Sequence, residues 1–167
     1  RKQPSRQRAF EALVAGGSDQ TARLGLGATG PLGEIASYRI DVYGNRSDGE
    51  RDLDNSKAGK FMGTLRLDPT SDLQIDLIAD RSAQKPARYW GTPGIDGKVV
   101  QALRGENYNA ADSIVRFDDE RYRAKLRWRA NDVVTVRNEL FHFETDRRWR
   151  NIEAYAYNPA TATVARS

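Results

Sequence analysis

The 167-residue sequence predicts an all-β fold: an antiparallel meander of about seven strands, patterned like part of a transmembrane outer-membrane β-barrel. Three observations predict this fold. Apolar and polar side chains alternate along segments of about ten residues, turn residues separate the segments, and short connections alternate with long ones. A soluble antiparallel sheet with one wet face has the same alternation, so the pattern by itself leaves both architectures open.

Composition limits the classes of function. Of all residues, 38% are apolar and 30% are charged, a small apolar supply for a soluble protein that must fill its own core. The absence of cysteine excludes disulfides, thiolate metal sites and cysteine nucleophiles. The formal charge of +4 is modest, so we expect no nucleic-acid partner. No apolar run approaches the roughly 20 residues of a membrane helix.

Five strands are predicted in the first half of the chain, and the second to fifth of them each have an apolar face and an opposite polar face. They are expected at residues 9–15, 22–29, 36–45, 60–68 and 72–80. Their apolar faces include Leu24, Ile40, Leu65 and Ile75, and the opposite faces include Arg39 and Arg66. Glycine-proline and aspartate-proline pairs are typical of turns. Short turns are therefore expected at residues 30–35, 68–71 and 130–132, and longer connections at 46–59, 82–117 and from 146 onward. The first hairpin, at residues 16–20, is a short exception on the side of the long connections.

The stretch ERYRAKLRWRAND, residues 120–132, has the strictest alternation. Every second residue from Arg121 to Arg129 is a cation, with apolar residues such as Leu126 between. A strand places the two classes on opposite faces, whereas a helix would scatter them. In a membrane barrel Leu126 would meet lipid, and Arg121, Arg123 and Arg127 would line a hydrated lumen. The same cations facing lipid would cost about 2–4 kcal/mol each near the midplane.

The final predicted strand, residues 133–145, alternates less cleanly, and its two faces are not assigned. The basic N-terminal segment RKQPSRQ has no apolar signal core after it and does not begin with Met. We therefore expect the chain to be cut from a longer protein.

Residues 16–52 carry a series of motifs in a recognisable order. The motifs are Gly17-Ser18, Arg23, Gly30-Pro31-Leu32, Tyr38-Arg39 and Gly49-Glu50-Arg51-Asp52. This order resembles the first barrel strands of TonB-dependent siderophore receptors, with Ala22 where an aromatic residue is often found. Further segments similar to the family, RKQPSR, YWGTPGIDGK and RNELFHFETDRRWRN, extend the resemblance over nearly the whole chain.

The resemblance implies a barrel of about 22 strands with a plugged lumen. Residues 1–8 would be the end of the plug or its linker into the barrel. Residues 9–167 would be the first strands and extracellular loops of a barrel that this chain leaves incomplete.

The resemblance also implies a function: a receptor of the bacterial outer membrane that takes up ferric siderophores. Its partners would be membrane lipid and lipopolysaccharide, and the TonB complex through an N-terminal plug region outside this chain. Such a receptor is a transporter, not an enzyme, and holds no resident cofactor because the iron complex is its substrate. The alternative function is a soluble antiparallel β-sheet module that binds carbohydrate or anions.

The candidate substrate-binding residues lie in the long connection and are Arg88, Tyr89, Trp90, Arg104 and Tyr108. Ferric siderophores are commonly anionic or aromatic, which suits arginine charge and ring stacking. These aromatic residues could instead pack the connection against itself. Arginine and tryptophan near the outer rim could equally contact lipopolysaccharide phosphates.

No catalytic or metal site is expected. His142 is the only histidine, and the acidic residues between 48 and 54 lack the spacing of a calcium loop. Gly25 and Gly27 occupy the polar face of the second strand, where a missing side chain permits close approach of another backbone. We take the plug as the hypothetical source of that backbone.

Overall fold

Seven long strands form a single antiparallel sheet in the computed structural model, which describes residues 2–88, 91–92, 94–95, 97–152 and 154–166. The all-β meander is therefore confirmed. The long strands are β1 (Ala9–Gly16), β2 (Ala22–Leu32), β3 (Ala36–Ser47), β4 (Ser56–Thr70), β5 (Leu73–Lys85), β8 (Ile114–Arg129) and β9 (Thr135–Arg150). Each pairs with its neighbours in that order.

Two small hairpins accompany the sheet. Strands β6 (Gly94–Ile95) and β7 (Lys98–Val99) pair within the β5–β8 connection, followed by a 3₁₀ turn at Gln101–Leu103. Strands β10 (Tyr155–Asn158) and β11 (Thr163–Arg166) pair after β9. Among the described residues, no helix is long and apolar enough to cross a bilayer.

The register places like residues opposite one another from strand to strand. One cross-strand row runs Ala28, Ile40, Gly63, Ala79 and Tyr122. Because side chains alternate, this row and every second row define one face of the sheet, here called the apolar face, and the remaining rows define the polar face.

The predicted faces agree with this register. Leu24, Ile40, Leu65, Ile75 and Leu126 all lie on the apolar face. Arg39, Arg66, Arg121, Arg123 and Arg127 all lie on the polar face. In β9, which the sequence left unassigned, Leu140 lies on the apolar face, and Phe141 and Phe143 lie on the polar face.

Burial in this sheet is the reverse of burial in a soluble domain. On the polar face Arg39 is 4% exposed and Asp80 is 5% exposed, whereas Leu24 on the apolar face is 51% exposed. Val115 is the one buried apolar side chain in the part of the chain that the structure describes. The sheet is a single layer, and within the described residues no second layer covers its apolar face.

The two prolines that were predicted to mark turns, Pro31 and Pro69, lie in strands instead. Pro31 lies in β2, opposite Ser37, and Pro69 lies at the end of β4, in a register shift. β1 pairs with β2 only as far as Thr29, so Pro31 stands beyond a paired edge. Proline is tolerated at such edges and at bulges because it lacks an N–H donor.

Three short turns, at residues 33–35, 71–72 and 130–134, lie at one edge of the sheet, here called the turn edge. The short β1–β2 connection at residues 17–21 lies at the opposite edge. Gly33 begins the first turn with a φ of +78°, which favours glycine. In the second turn Asp72 accepts hydrogen bonds from Arg129 at 2.8 and 2.6 Å. These bonds hold the pKa of the Asp72 carboxyl below its ordinary value.

The strands are longer than predicted at the opposite edge, here called the loop edge. β5 continues to Lys85, β8 begins at Ile114, and β9 continues to Arg150. Both faces carry charged residues there, and apolar residues such as Val115 share a face with them, so the alternation that revealed the strands ends before the pairing does. Ion pairs such as Arg147 with Asp119, at 2.7 Å, join neighbouring strands in this region.

Residues 2–8 cross the polar face close to the turn edge. The Gln3 side chain accepts a hydrogen bond from Arg66 at 2.6 Å, and the Ser5 backbone N–H donates to Thr29 Oγ1 at 2.9 Å. Arg6 donates to the carbonyl of Glu34 in the first turn. The chain therefore enters β1 from the polar side of the sheet.

Candidate functional site

The most buried charge of the polar face is the Arg39 guanidinium on β3. It donates to both carboxylate oxygens of Asp41, at 2.9 and 2.6 Å, and to Glu11 of β1 at 3.3 and 3.2 Å. Lys2 of the entering segment also contacts Glu11. Paired, hydrogen-bonded charges of this kind are how a protein tolerates a buried arginine.

Gly27 makes this arrangement possible. It lies between Glu11 and Asp41 in the same cross-strand row. A Cβ at position 27 would lie 2.8 Å from Asp41 Oδ1 and 2.9 Å from Arg39 Nη2. Side chains also occupy the space above Gly25, where Leu13 Cβ would lie 3.3 Å from an added Cβ. In this chain, side chains take up the space that the sequence suggested for another backbone.

A second charged cluster lies nearer the turn edge. Arg66 donates to both oxygens of Asp76, at 2.7 and 3.0 Å. Gln74 donates to the same carboxylate at 3.1 Å. The Arg66–Asp76 contact joins β4 to β5. Together with the Arg39–Asp41 contact, it gives each predicted cation on β3 and β4 a carboxylate partner on the polar face.

The cations of β8 are less well matched. Arg121 lies 4.8 Å from the centroid of the Phe143 ring, a cation–π contact that sequence reasoning did not find because it could not assign the faces of β9. Arg127 stands directly opposite Arg137, and neither forms an ion pair with a carboxylate of the described residues. The turn-edge part of this strand therefore carries uncompensated positive charge.

Arg123 has buried donors without acceptors. Its Nε and Nη2 atoms are buried, and no acceptor among the described residues bonds to them. It lines a small cavity beside Lys2, Asp76 and Lys125. An unsatisfied charged donor costs free energy, so this position is suited to water or to an acceptor from another segment.

Of the predicted binding residues, Arg88 is engaged within its own connection. Its guanidinium donates to the Ser113 carbonyl at 3.0 Å and to the Asn55 side chain at 3.4 Å. Its backbone N–H donates to the Leu53 carbonyl at 3.4 Å. Arg88 thus fastens the β5–β8 connection to the β3–β4 connection.

Two of the other predicted binding residues, Arg104 and Tyr108, take part in backbone contacts of the loops. Arg104 is exposed, and its carbonyl accepts from Arg51 at 2.6 Å. The Tyr108 carbonyl accepts from Arg166 at 3.4 Å, and burial raises the pKa of the Tyr108 hydroxyl. Tyr89 and Trp90 lie outside the described residues.

Sequence reasoning missed two asparagines that organise the long connection. Asn109 is 4% exposed, and its side chain donates to the Arg88 carbonyl and accepts from the Ala110 N–H at 2.8 Å. Asn107 donates to the Asp52 carbonyl at 2.7 Å. Asparagine in a polar loop gives no sequence signal that distinguishes these roles.

Metal binding finds no support in the part of the chain that the structure describes. No group of three or more histidine, cysteine, aspartate or glutamate side chains could hold an ion there. His142 is exposed on the apolar face of β9, with its ring stacked at 6.4 Å from that of Tyr122. His142 is therefore an ordinary residue of a β-strand, which is what the sequence predicts for the only histidine of the chain.

Fold and site together define a class of structure: a one-layer antiparallel wall with a charged, hydrogen-bonded face and an uncovered apolar face. Comparison with protein-family models and with curated proteins finds no match to this chain. The arguments for its function therefore rest on the resemblance of its motifs and on the geometry of its two faces.

Proposed function

We propose that this chain forms part of the wall of a TonB-dependent receptor in the bacterial outer membrane, which takes up ferric siderophores. The observation that carries the proposal is the inverted burial: charged side chains are sheltered and apolar ones are exposed. Lipid against the apolar face removes that exposed surface from water, and a hydrated interior suits the charged face.

The dimensions support a membrane setting. On β3 the apolar face runs from Ala36 to the first charge at Arg46. Ten residues span about 33 Å along a strand, or about 25 Å along the bilayer normal at the usual tilt, which is the height of an outer-membrane apolar band. On β5 the first charge, Arg81, comes sooner, and Glu120 pairs with it at 3.1 Å.

The positions of the connections also support this setting. Three tight turns lie at one edge, and the long connections lie at the other with the short β1–β2 connection at residues 17–21. Barrels with short periplasmic turns and long extracellular loops have this arrangement. Residues 2–8 enter on the polar face, the side from which a lumenal segment would come. The unmatched cations of β8 leave room for such a segment or for water.

The transport steps follow from the family that the sequence resembles. Extracellular loops would capture the iron complex, and the TonB complex, acting through the plug region, would drive its passage to the periplasm. The chain would act on no covalent bond and would hold no resident cofactor. Lipid and lipopolysaccharide would contact the apolar face.

The second candidate is a soluble β-sheet module that binds carbohydrate or anions. Its favouring observation is the uncompensated cationic patch at Arg127 and Arg137. It would require another layer to cover the apolar face, since exposed apolar patches of this extent mark interaction surfaces.

Spin labels on the full-length protein in membranes distinguish the two candidates. We expect labels at Leu24, Leu65 and Leu126 to be relaxed by lipid-soluble oxygen. Labels replacing Arg66 and Arg127 should respond to an aqueous nickel chelate. A mixed or reversed pattern, or a protein that stays in the aqueous fraction, would contradict the membrane-wall proposal.

A further inference from the structure

A row of cations crosses the apolar face at its loop edge. Arg46, Lys57 and Lys85 stand directly opposite one another on β3, β4 and β5. All three are exposed, and none forms an ion pair with a carboxylate of the described residues. Like charges directly opposite one another are destabilising, so the row is stabilised when an anion binds between the strands.

The other cations of the apolar face at this edge are paired with carboxylates, which sets these three apart. Arg81 pairs with Glu120 at 3.1 Å, and Arg148 pairs with Asp146 at 3.6 Å. Arg116 pairs with Asp118. On the apolar face at the loop edge, positive charge without a partner is therefore concentrated on β3, β4 and β5. Adjacent strands about 4.8 Å apart place the three charges within about 10 Å.

A recess lies immediately beside the row. Its floor is a cross-strand row of small residues, Gly44, Gly59 and Ala83, which continues from Leu24 of β2. The recess has a volume of about 780 Å³, and the three cations stand along its rim. The paired Arg116 and Asp118 line its β8 end. On its other side, Val42 and Phe61 begin the apolar face proper.

We propose that this recess binds a phosphate-bearing membrane lipid. The phosphate would lie among Arg46, Lys57 and Lys85, and the root of the acyl chains would lie over Gly59 and descend past Phe61. Charge complementarity selects an anionic headgroup, and the apolar continuation of the recess selects an amphiphile over free phosphate. The inference rests on the proposed membrane setting and places the lipid in the leaflet at the loop edge.

Charge-matched variants of the full-length protein in zwitterionic detergent test the proposal. The test variant combines Arg46→Gln, Lys57→Gln and Lys85→Gln. The control variant combines Arg81→Gln, Arg148→Gln and Arg150→Gln, where Arg150 pairs with Asp112 at 3.4 Å and lies outside the recess. Both lose three positive charges at the same edge. Native mass spectrometry would follow binding of phosphatidylglycerol, phosphatidylcholine and inorganic phosphate.

We expect wild type to bind phosphatidylglycerol in preference to phosphatidylcholine. The test variant should lose about a hundredfold in affinity for phosphatidylglycerol, from three cations near an anionic surface. The control variant should change little. Gly59→Leu should also weaken lipid binding by filling the recess, because a Cβ at position 59 meets no atom within 4 Å.

Three results would overturn the inference: an equal loss in both triple variants, equal binding of the two phospholipids by wild type, or equal affinity for inorganic phosphate. The spin-label pattern on the same samples separates this failure from that of the proposed function. If the spin labels show the membrane pattern but lipid binding gives any of these three results, only the inference of a lipid site is wrong. A protein without the membrane pattern refutes both proposals.

Discussion

At the scale of single residues, the polar face depends on which side chains are missing as much as on which are present. Gly27 has no Cβ, and the Arg39 guanidinium occupies the space where one would lie, between Glu11 and Asp41. The sequence indicates that small residues belong on this face. It does not indicate the occupant, because Glu11 and Arg39 are 28 positions apart and meet only through strand pairing.

Gly27→Val is expected to destabilise the protein by about 1–3 kcal/mol, through overpacking and displacement of buried charged groups. The matched control is Gly59→Ala, since an added Cβ there meets nothing within 4 Å. The measurement is the denaturant midpoint of the full-length protein. If the two variants unfold at the same midpoint, the space above Gly27 is not filled as described.

At the scale of elements, strand length and strand pattern have different causes. Apolar alternation ends where the apolar face ends, whereas backbone pairing continues as far as ion pairs and hydrogen bonds hold neighbouring strands together. β8 begins at Ile114, well before the cation-rich stretch that revealed it. Buried Asp119 joins it to Thr145 and Arg147 of β9 at 2.9 and 2.7 Å.

Arg88 and Asn109 hold the described part of the long connection in place through their hydrogen bonds. Asn109→Ala is expected to increase backbone hydrogen exchange across residues 97–113 without changing exchange in the sheet, because it removes a buried side chain with two backbone partners. Arg88→Ala should act in the same direction, and exposed Arg104→Ala should have little effect. Hydrogen exchange followed by mass spectrometry makes the comparison.

The same variants examine the role of Arg88 in ligand capture. If Arg88→Ala and Asn109→Ala weaken binding of the iron-loaded siderophore equally, Arg88 acts by holding the connection in place. If only Arg88→Ala weakens binding of the siderophore, Arg88 contacts the ligand directly. If hydrogen exchange of the connection is unchanged in both variants, the hydrogen bonds of Arg88 and Asn109 do not hold the connection in place.

At the scale of the whole molecule, the sheet lacks what a soluble domain needs. Val115 is the one buried apolar side chain among the described residues, and β1 and β9 each pair on one side only. Unpaired edges and an uncovered apolar face are both routes to self-association.

The isolated 167-residue chain is therefore expected to be insoluble or oligomeric in water. Detergent should reduce that self-association by covering the apolar face. Light scattering coupled to size-exclusion chromatography gives the mass. A monodisperse monomer with a cooperative thermal transition would favour the soluble module.

Local sequence pattern was sufficient to predict the all-β class, the order of the long strands and the faces assigned on β2, β3, β4, β5 and β8. It could do so because a period of two is a local property, and a slip of one residue would exchange the faces. The faces of the sheet on which Leu24 and Arg123 lie follow from that rule alone. In β9 the rule failed, because apolar and polar residues such as Phe141 and His142 do not separate by face.

The strand ends at the loop edge, the partner of each cation and the packing of the described part of the long connection could not be predicted from local pattern. They follow only from the three-dimensional structure. These features depend on residues distant in sequence that register brings into one row. Arg46, Lys57 and Lys85 are unremarkable where they stand in the chain, yet they lie side by side in the sheet. Local alternation fixes which way a side chain points, and only strand pairing fixes what it meets.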